Sequence, residues 1–332
     1  MAKHRPRILL CAVNIQSFVQ RDIEAIATEY PVVVGMCNSL WSTLKTIARV
    51  PSSDCIVCWF GSIRFLPVVF LGRVLRKKIL IILGGYDVAN VPEIHYGEMH
   101  SVIRRYLVRM VIAMAHRVAC VSRSNAEEAV RNAKVSPGKI TIIYHGFDPG
   151  QFADIDTNSK ERLVLTVGRI NTSNLYRKGL ITFVKVAHWL PDVRFVVAGP
   201  YDNDALETLK NIAGDNVTFM GYVSKEDLDC LYARAKVYLQ PSIHEAFGCS
   251  VAEAMLYNCI PVVSNRFALP EVVGDAGIYV EPGDIEGIAS ALRRALDGDI
   301  QLPENPRERI LREFPMSKRR ALLIEMIKEL CS

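Results

Sequence analysis

The sequence predicts an α/β protein of two doubly wound, Rossmann-like domains that face each other across a cleft. Three observations carry that expectation. Apolar runs of strand length alternate with helix-length segments from one end of the chain to the other. The runs are near-continuous in Val, Ile and Leu, as strands read when helices cover both faces of a parallel sheet. The alternation stops once, in a polar and turn-rich stretch, and then starts again. A chain of 332 residues, 50% hydrophobic, also exceeds a usual single domain and can fill two cores.

In the first half, strands are expected at 8–13, 31–36, 55–59, 79–83, 117–121 and 140–144, with helices at 19–30, 66–76, 99–115 and 124–133. The break runs from Asp148-Pro149-Gly150 to Lys160, where Pro, Gly, Asp and Asn cluster as in an inter-domain linker. Strands resume at 163–168, 193–198, 217–220, 237–240 and 260–263, separated by helices at 179–190, 204–212, 225–235 and 248–257. One amphipathic helix, 315–330, follows a Pro-rich stretch. The expected division is 1–153, then 154–314, then a C-terminal 315–332 crossing back onto the first domain.

The net charge of +5 is mild but uneven: residues 1–150 hold 19 Lys and Arg against 10 Asp and Glu, and the remainder 21 against 25. The basic half suits an anionic acceptor or membrane surface; no nucleic-acid partner is expected. The segment Arg64–Lys78, apolar and then basic, could dock with Arg104, Arg105 and Arg109 on anionic headgroups or a lipid-linked phosphate. A core helix with solvated basic ends fits the same residues. Nine cysteines in no framework spacing suit a reducing compartment, and Cys55-Ile-Val-Cys58 reads as a buried strand rather than a zinc site. The run 8–13 is too short for a signal-peptide core, and no run approaches a spanning helix. The expected location is the cytoplasm, peripheral to the inner face of the membrane.

The most informative stretch is His244 to Met255. It follows the strand end Tyr238-Leu239-Gln240 and a Pro241-Ser242 turn, and it carries Glu245 and Glu253 eight residues apart around Gly248. A strand, a glycine-bearing turn and a helix start make a phosphate cradle, because the first N–H groups of a helix point out of its end. A carboxylate before the helix and another within it can reach two ends of one ligand. A nucleotide sugar has that layout, with hydroxyls on either side of a diphosphate. Two glutamates in an Ala-rich helix also fit a solvated face. Upstream, Gly168-Arg169 ends a strand and Lys178-Gly179 opens a helix, so a guanidinium and an ammonium can converge on a diphosphate at the sheet edge. Gly199 ends the next strand, where glycine permits close approach. Tyr222, after the strand following that, could pass along a flat base.

The ordered set Val167-Gly168-Arg169, Lys178-Gly179, Ala198-Gly199-Pro200, Gly221-Tyr222-Val223, Pro241-Ser242 and Glu245-x7-Glu253 resembles the retaining glycosyltransferases of family 4, which have the GT-B fold. Pro261–Ser264, Leu269-Pro270-Glu271 and Gly277–Val280 continue the resemblance, which covers residues 140–300, and His145-Gly146-Phe147-Asp148 looks like the family's linker motif. The resemblance implies transfer of a hexose-type sugar from a nucleoside diphosphate sugar to a glycan, lipid-linked or small-molecule acceptor, with no cofactor and no metal. It implies that Arg169 and Lys178 neutralise the donor diphosphate. Glu245 would hold hydroxyls of the transferred sugar, amides of Ala246, Phe247 and Gly248 would contact sugar or phosphate, and Glu253 would take the ribose diol.

Such a reaction expels a nucleoside diphosphate from an anomeric carbon, so groups that bind the growing negative charge more tightly as it forms accelerate it. The family's retention of configuration implies same-face attack with the departing phosphate as base, and domain closure would exclude water. The first domain departs from the pattern. The segment Asn14–Asp22 lacks the glycines many members have, leaving Ser17 and Arg21 as candidates. The place of the family histidine is filled by Leu83-Gly84-Gly85-Tyr86-Asp87, where Asp87 either touches an acceptor or sugar hydroxyl as a catalytic group or caps its own turn. Asp154-Ile-Asp156 and Asp202-Asn-Asp204 have turn or capping explanations rather than a metal role. The competing readings are a non-catalytic nucleotide-sugar binder or scaffold and a nucleotide-sugar epimerase on the same fold.

Overall fold

In the computed structural model, which describes residues 5–152 and 160–332, the chain forms two compact units: Met1–Gly146 with Met316–Ser332, and Phe147–Pro315. The expected boundary at 153/154 and the triplet Asp154-Ile-Asp156 lie outside the described residues.

The first unit is built on a six-stranded sheet in which every pairing is parallel, in the order β2-β1-β3-β4-β5-β6. Its strands are β1 (Ile8–Ala12), β2 (Val32–Met36), β3 (Cys55–Trp59), β4 (Lys78–Leu83), β5 (Arg117–Cys120) and β6 (Ile140–Ile142). Its helices are α1 (Ser17–Ala27), α2 (Leu40–Ile47), α3 (Leu66–Val74), α4 (Val102–Ala113) and α5 (Arg123–Arg131). Every residue of β1 and β3 is buried, which explains their unbroken apolar runs. Leu9, Ile56, Cys58 and Ile81 point to one face and pack on Val68 and Val69 of α3 and Val108 and Val111 of α4. Helix α2 does not stand out in the sequence, because Leu40, Trp41 and Leu44 face outward and only Ile47 and the buried Thr46 turn toward the core. A capping box between Ser39 and Ser42 starts it instead.

The second unit repeats the architecture in the order β12-β11-β10-β7-β8-β9, again all parallel. Its strands are β7 (Glu161–Val167), β8 (Arg194–Ala198), β9 (Val217–Gly221), β10 (Ala235–Gln240), β11 (Ile260–Ser264) and β12 (Ile278–Val280). Around them lie α6 (Thr172–Arg177), α7 (Leu180–Ala187), α8 (Asn203–Lys210), α9 (Lys225–Arg234), α10 (Cys249–Leu256), α11 (Leu269–Val273), α12 (Ile285–Asp297) and α13 (Pro306–Glu313). The N–H of Phe147 donates to Phe314 O at 2.9 Å, so the chain enters and leaves this unit at one place.

The last helix, α14 (Met316–Cys331), belongs to the first unit and packs on α1, β3 and β4. A buried ion pair holds it. Arg319 reaches both oxygens of Asp22 in α1, at 2.6 Å each, and donates to the carbonyls of Ile143 and Tyr144. Trp59 Nε1 donates to the same carboxylate at 3.0 Å. Asp22 and Arg319 are 0% and 3% exposed, so the pair stabilises only because its hydrogen bonds are so fully made.

Each sheet reverses its direction of strand addition once, between β1 and β3 in the first unit and between β7 and β10 in the second. At such a reversal the flanking connections leave to opposite sides and a crevice opens beyond the carboxyl ends of the strands. Among the described residues, no helix is long and apolar enough to cross a membrane.

Truncating Arg319 leaves Asp22 buried with its charge uncompensated. The variant Arg319→Ala is expected to lose about 3–5 kcal/mol of stability in urea unfolding, and Asp22→Asn in the same background to recover part of that loss.

Candidate functional site

The crevice between β7 and β10 gathers most of the residues singled out in the second half. Glu245 stands between β10 and α10, 9% exposed, and four donors converge on its Oε1: Lys178 Nζ at 3.0 Å, Arg177 Nη1 at 3.1 Å, Gln240 Nε2 at 3.1 Å and Ser242 Oγ at 3.5 Å. Burial alone would push this carboxyl up. The adjacent Lys178 and Arg177 outweigh it and hold the group at about 2. Glu245 is therefore ionised across the physiological range and fixes two cations at the sheet edge.

Three local features put those cations there. Gly179 separates α6 from α7 with φ +70°, and a Cβ on it would lie 2.5 Å from Pro241 O. Only glycine makes that turn, which sends Lys178 toward Glu245. Gly168 lies under the Lys178 stem, where a Cβ would meet Cδ at 3.0 Å. Gly199, at φ +143°, lets β8 close on Gly168, whose carbonyl oxygen would be 2.3 Å from an added Cβ. Asn174 then orients Arg177, accepting from its Nη2 at 2.8 Å and donating to Arg169 O at 2.7 Å. Beneath the site, Tyr238 and Ser250 donate to Gln240 Oε1, tying β10 to the start of α10.

The remaining residues of the set fall nearby with different tasks. Arg169 is half-exposed and pairs with Asp202 at 2.7 Å, a surface contact worth about 0–1 kcal/mol. The Asp202-Asn-Asp204 triplet is thus split: Asp202 stands at the N-cap position of α8 with its carboxylate on Arg169 rather than on the helix amides, and Asp204 sits in the first turn. Gly248, at φ +99°, is the N-cap of α10 and has no side chain to cap it. Ala246 is half-buried beside it, but the Phe247 ring is in the core, against Phe147 and Phe314, so only the Phe247 backbone can face a ligand. Glu253 lies little more than a turn into α10, half-buried, with the Tyr232 hydroxyl donating to it. Tyr222 is 81% exposed at the end of the edge strand β9. Arg177, Gln240 and Asn174 are site residues that the sequence reading passed over. Arg177, adjacent to Lys178, carried the one available signal.

In the first unit, the β1/β3 reversal opens a cavity of about 220 Å³ bounded by Asn14, Gln16, Phe60, Ser62, Asp87 and Glu98. Asp87 takes its capping alternative. It is 2% exposed and accepts the N–H groups of Gly61 at 2.9 Å, Gly85 at 2.9 Å and Gly84 at 3.2 Å. Burial pushes its carboxyl up to about 6 against the pull of those three amides. The expected contact with a substrate hydroxyl thus competes with three backbone hydrogen bonds, and Asp87 holds the cavity wall together. Gly84 is required because a Cβ would strike the Phe60 ring at 2.0 Å, and Phe60 itself sits at φ +76°. Arg21 donates to Gly146 O, and Ser17 is its neighbour one helical turn away at 3.5 Å.

The depressed Glu245 carboxyl has a consequence for acid stability. A group lowered from its usual 4.5 to about 2 contributes stability above pH 4.5, and that contribution disappears as pH falls through 2. Glu245→Gln is expected to cost on the order of 3 kcal/mol near neutrality, measured by urea unfolding, with the gap to the parent closing between pH 4.5 and 2.

A model of the family "Glycosyl transferases group 1" matches residues 148–312, which is nearly all of the second unit. The chain is 27% identical over 200 residues to the O-antigen chain mannosyltransferase RfbU of Salmonella typhimurium, covering 59% of this chain and 55% of that one. It is 42% identical over 83 residues to the O-antigen chain mannosyltransferase B of Escherichia coli, covering 25% and 22%. These matches span about half or less of the relatives' length. Among solved structures, Anabaena HepE, crystallised with UDP and glucose, superposes with a TM-score of 0.81 over 98% of this chain and 100% of that one at 15% identity, which shows a shared fold. The two all-parallel sheets, the charged crevice at the second reversal and the family match over that unit agree: the second unit is a group 1 glycosyltransferase domain.

Proposed function

We propose that this protein is a retaining, metal-independent glycosyltransferase of family 4. It moves a hexose-type sugar from a nucleoside diphosphate sugar to a carbohydrate or lipid-linked acceptor at the inner face of the membrane. One observation carries the reading. Lys178 and Arg177 are locked on buried Glu245 at the β7/β10 reversal, beside the glycine N-cap of α10. That is a preorganised positive site suited to a diphosphate.

Each residue has a task in that reaction. Lys178 has three donors, so it keeps Glu245 while a second N–H reaches a phosphate oxygen. Arg169 exchanges Asp202 for the diphosphate at little cost, because its present partner is a solvent-exposed carboxylate. The first amides of α10, with those of Ala246 to Gly248, take the remaining phosphate or sugar oxygens. Glu245 accepts from hydroxyls of the transferred sugar, and Glu253 from the ribose diol. Gly168 and Gly199 let the donor approach the backbone, and Tyr222 lies along the base. As the bond from the anomeric carbon to phosphate oxygen lengthens, negative charge grows on the leaving group in front of Lys178 and Arg169, and their attraction rises with it. The acceptor hydroxyl attacks the same face and gives its proton to the departing phosphate. Asn14, Gln16 and Ser62 in the first unit's cavity offer hydrogen bonds to an acceptor. Asp87 acts there as a positioning residue.

Anabaena HepE was solved with UDP, and the two relatives described above are mannosyltransferases, so UDP and GDP conjugates are the first donors to try. In a thermal-melt panel with a chelator present, one nucleotide family is expected to raise the midpoint. Lys178→Ala is expected to weaken that binding roughly 10–100-fold, the loss of one charge-assisted hydrogen bond. Turnover of that donor with an acceptor should release the nucleoside diphosphate and conserve the anomeric configuration in the product. A nucleotide that binds without any turnover would favour a non-catalytic binder, and no shift with any nucleotide would overturn the reading.

A further inference from the structure

The outer helix layer of the first unit carries an apolar face that the core does not use. Helix α3 packs between α2 and α4, and the inward residues of α3 and α4 enter one core cluster on the same side of the sheet. Their outward faces therefore share one surface. On it stand Trp41 and Leu44 of α2, Phe70 and Val74 of α3, and Ile103 and Tyr106 of α4, at spacings of three or four residues along each helix. Trp41 is 68% exposed, Phe70 60% and Ile103 74%. A soluble monomer rarely leaves so many large apolar groups together, and such a cluster marks an interaction surface.

The charges on the same helices select the partner. Together α2, α3 and α4 contain Lys45, Arg73, Arg104, Arg105 and Arg109 and not one Asp or Glu. Arg105 and Arg109 are part-buried on the carbonyls of Met99 and Asn132 and Arg104 pairs with Glu98, so Lys45 and Arg73 are the cations that flank the stripe, with Arg104 at its rim. Lys45 lies 5.8 Å from the Trp41 ring centroid, so an indole and an ammonium sit side by side as in a bilayer interface. Apolar groups flanked by cations of one sign match an anionic lipid surface, where the apolar groups enter the headgroup boundary and the cations meet phosphates. Helix α2 begins four residues after β2 ends, so the patch reaches the edge of the sheet at which the β1/β3 cavity opens.

We infer that the α2-α3-α4 face of the first unit is a docking surface for anionic membranes, seated through Trp41, Phe70 and Ile103. The inference refines the expectation of a lipid surface, because it places the contact on the apolar stripe and adds α2. It stands independently of the transferase reading, since vesicle binding is scored without turnover.

The experiment is co-sedimentation of the full chain with phosphatidylcholine vesicles, with and without phosphatidylglycerol, at low and high salt. The chain is expected to bind the anionic vesicles and to bind less as salt rises. The variant Trp41→Ser/Ile103→Ser is expected to bind about tenfold more weakly or worse, because two apolar anchors are lost. Trp189→Ser, on an exposed residue of the second unit, should bind as the parent does. All proteins should keep the parent's thermal midpoint, since the altered residues are at the surface. Absence of binding to anionic vesicles at low salt would overturn the inference, as would equal binding by the double variant. A dimer by light scattering that the double variant dissociates would assign the face to a second copy instead.

Discussion

The second unit is organised around a buried carboxylate that stays charged well below neutral pH. Glu245 is buried, which taken alone favours its neutral form, yet Lys178 and Arg177 stand against one of its oxygens and keep it charged. The consequence runs in both directions. The carboxylate holds two cations at the sheet edge that would otherwise repel each other, and the cations make its burial tolerable. The surrounding glycines follow from that cluster. Gly179 turns the chain so that Lys178 can arrive, Gly168 leaves room for the Lys178 stem, and Gly199 lets the neighbouring strand close beneath. A diphosphate entering the crevice meets charge that is already oriented, and little reorganisation is left for the moment of reaction.

The first unit solves a similar loop problem with different chemistry. Asp87 also sits buried at a sheet reversal, but its partners are the N–H groups of Gly61, Gly84 and Gly85 rather than cations. Amide dipoles compensate burial less than full charges do, so Asp87 titrates near 6 where Glu245 titrates near 2. One carboxylate concentrates positive charge and the other ties the loops after β3 and β4 together beside a cavity. A third buried acid, Asp22, meets a bidentate guanidinium from α14 and binds the chain's end to its beginning. Three buried acids thus have three kinds of partner, and the partner decides the task.

The asymmetry of the two units extends to their surfaces. The first concentrates basic charge and outward apolar residues on one helical layer, while the second carries the charged crevice. In the proposed reaction this separates the chemistry of a charged, water-soluble donor from that of an acceptor presented at a lipid surface. Exposed apolar residues on α2 and α4 lower the solubility of a free chain, which is a cost that a membrane contact offsets.

The sequence by itself determined the fold class, and it placed Lys178, Glu245 and the glycines Gly168, Gly179 and Gly199 at strand and helix ends. Strands buried on both faces have no polar side, so β1, β3 and the Ile79–Leu83 stretch of β4 stand out as unbroken apolar runs, and glycines at strand ends can be read because no other residue makes those turns. It did not reveal α2, whose Leu40, Trp41 and Leu44 face outward, nor Arg177, whose partner Glu245 is distant along the chain, nor Gln240 and Asn174, whose side chains meet Glu245 and Arg177 only in the folded turns. Asp87 shows the same limit. Its residue type fitted a hydroxyl contact, and only the fold reveals the three amides it also holds. Periodicity and turn chemistry are local and survive in one dimension. Whether a side chain is spent on the protein or left for a ligand depends on what the fold brings within about 3 Å of it, and only the tertiary structure decides that.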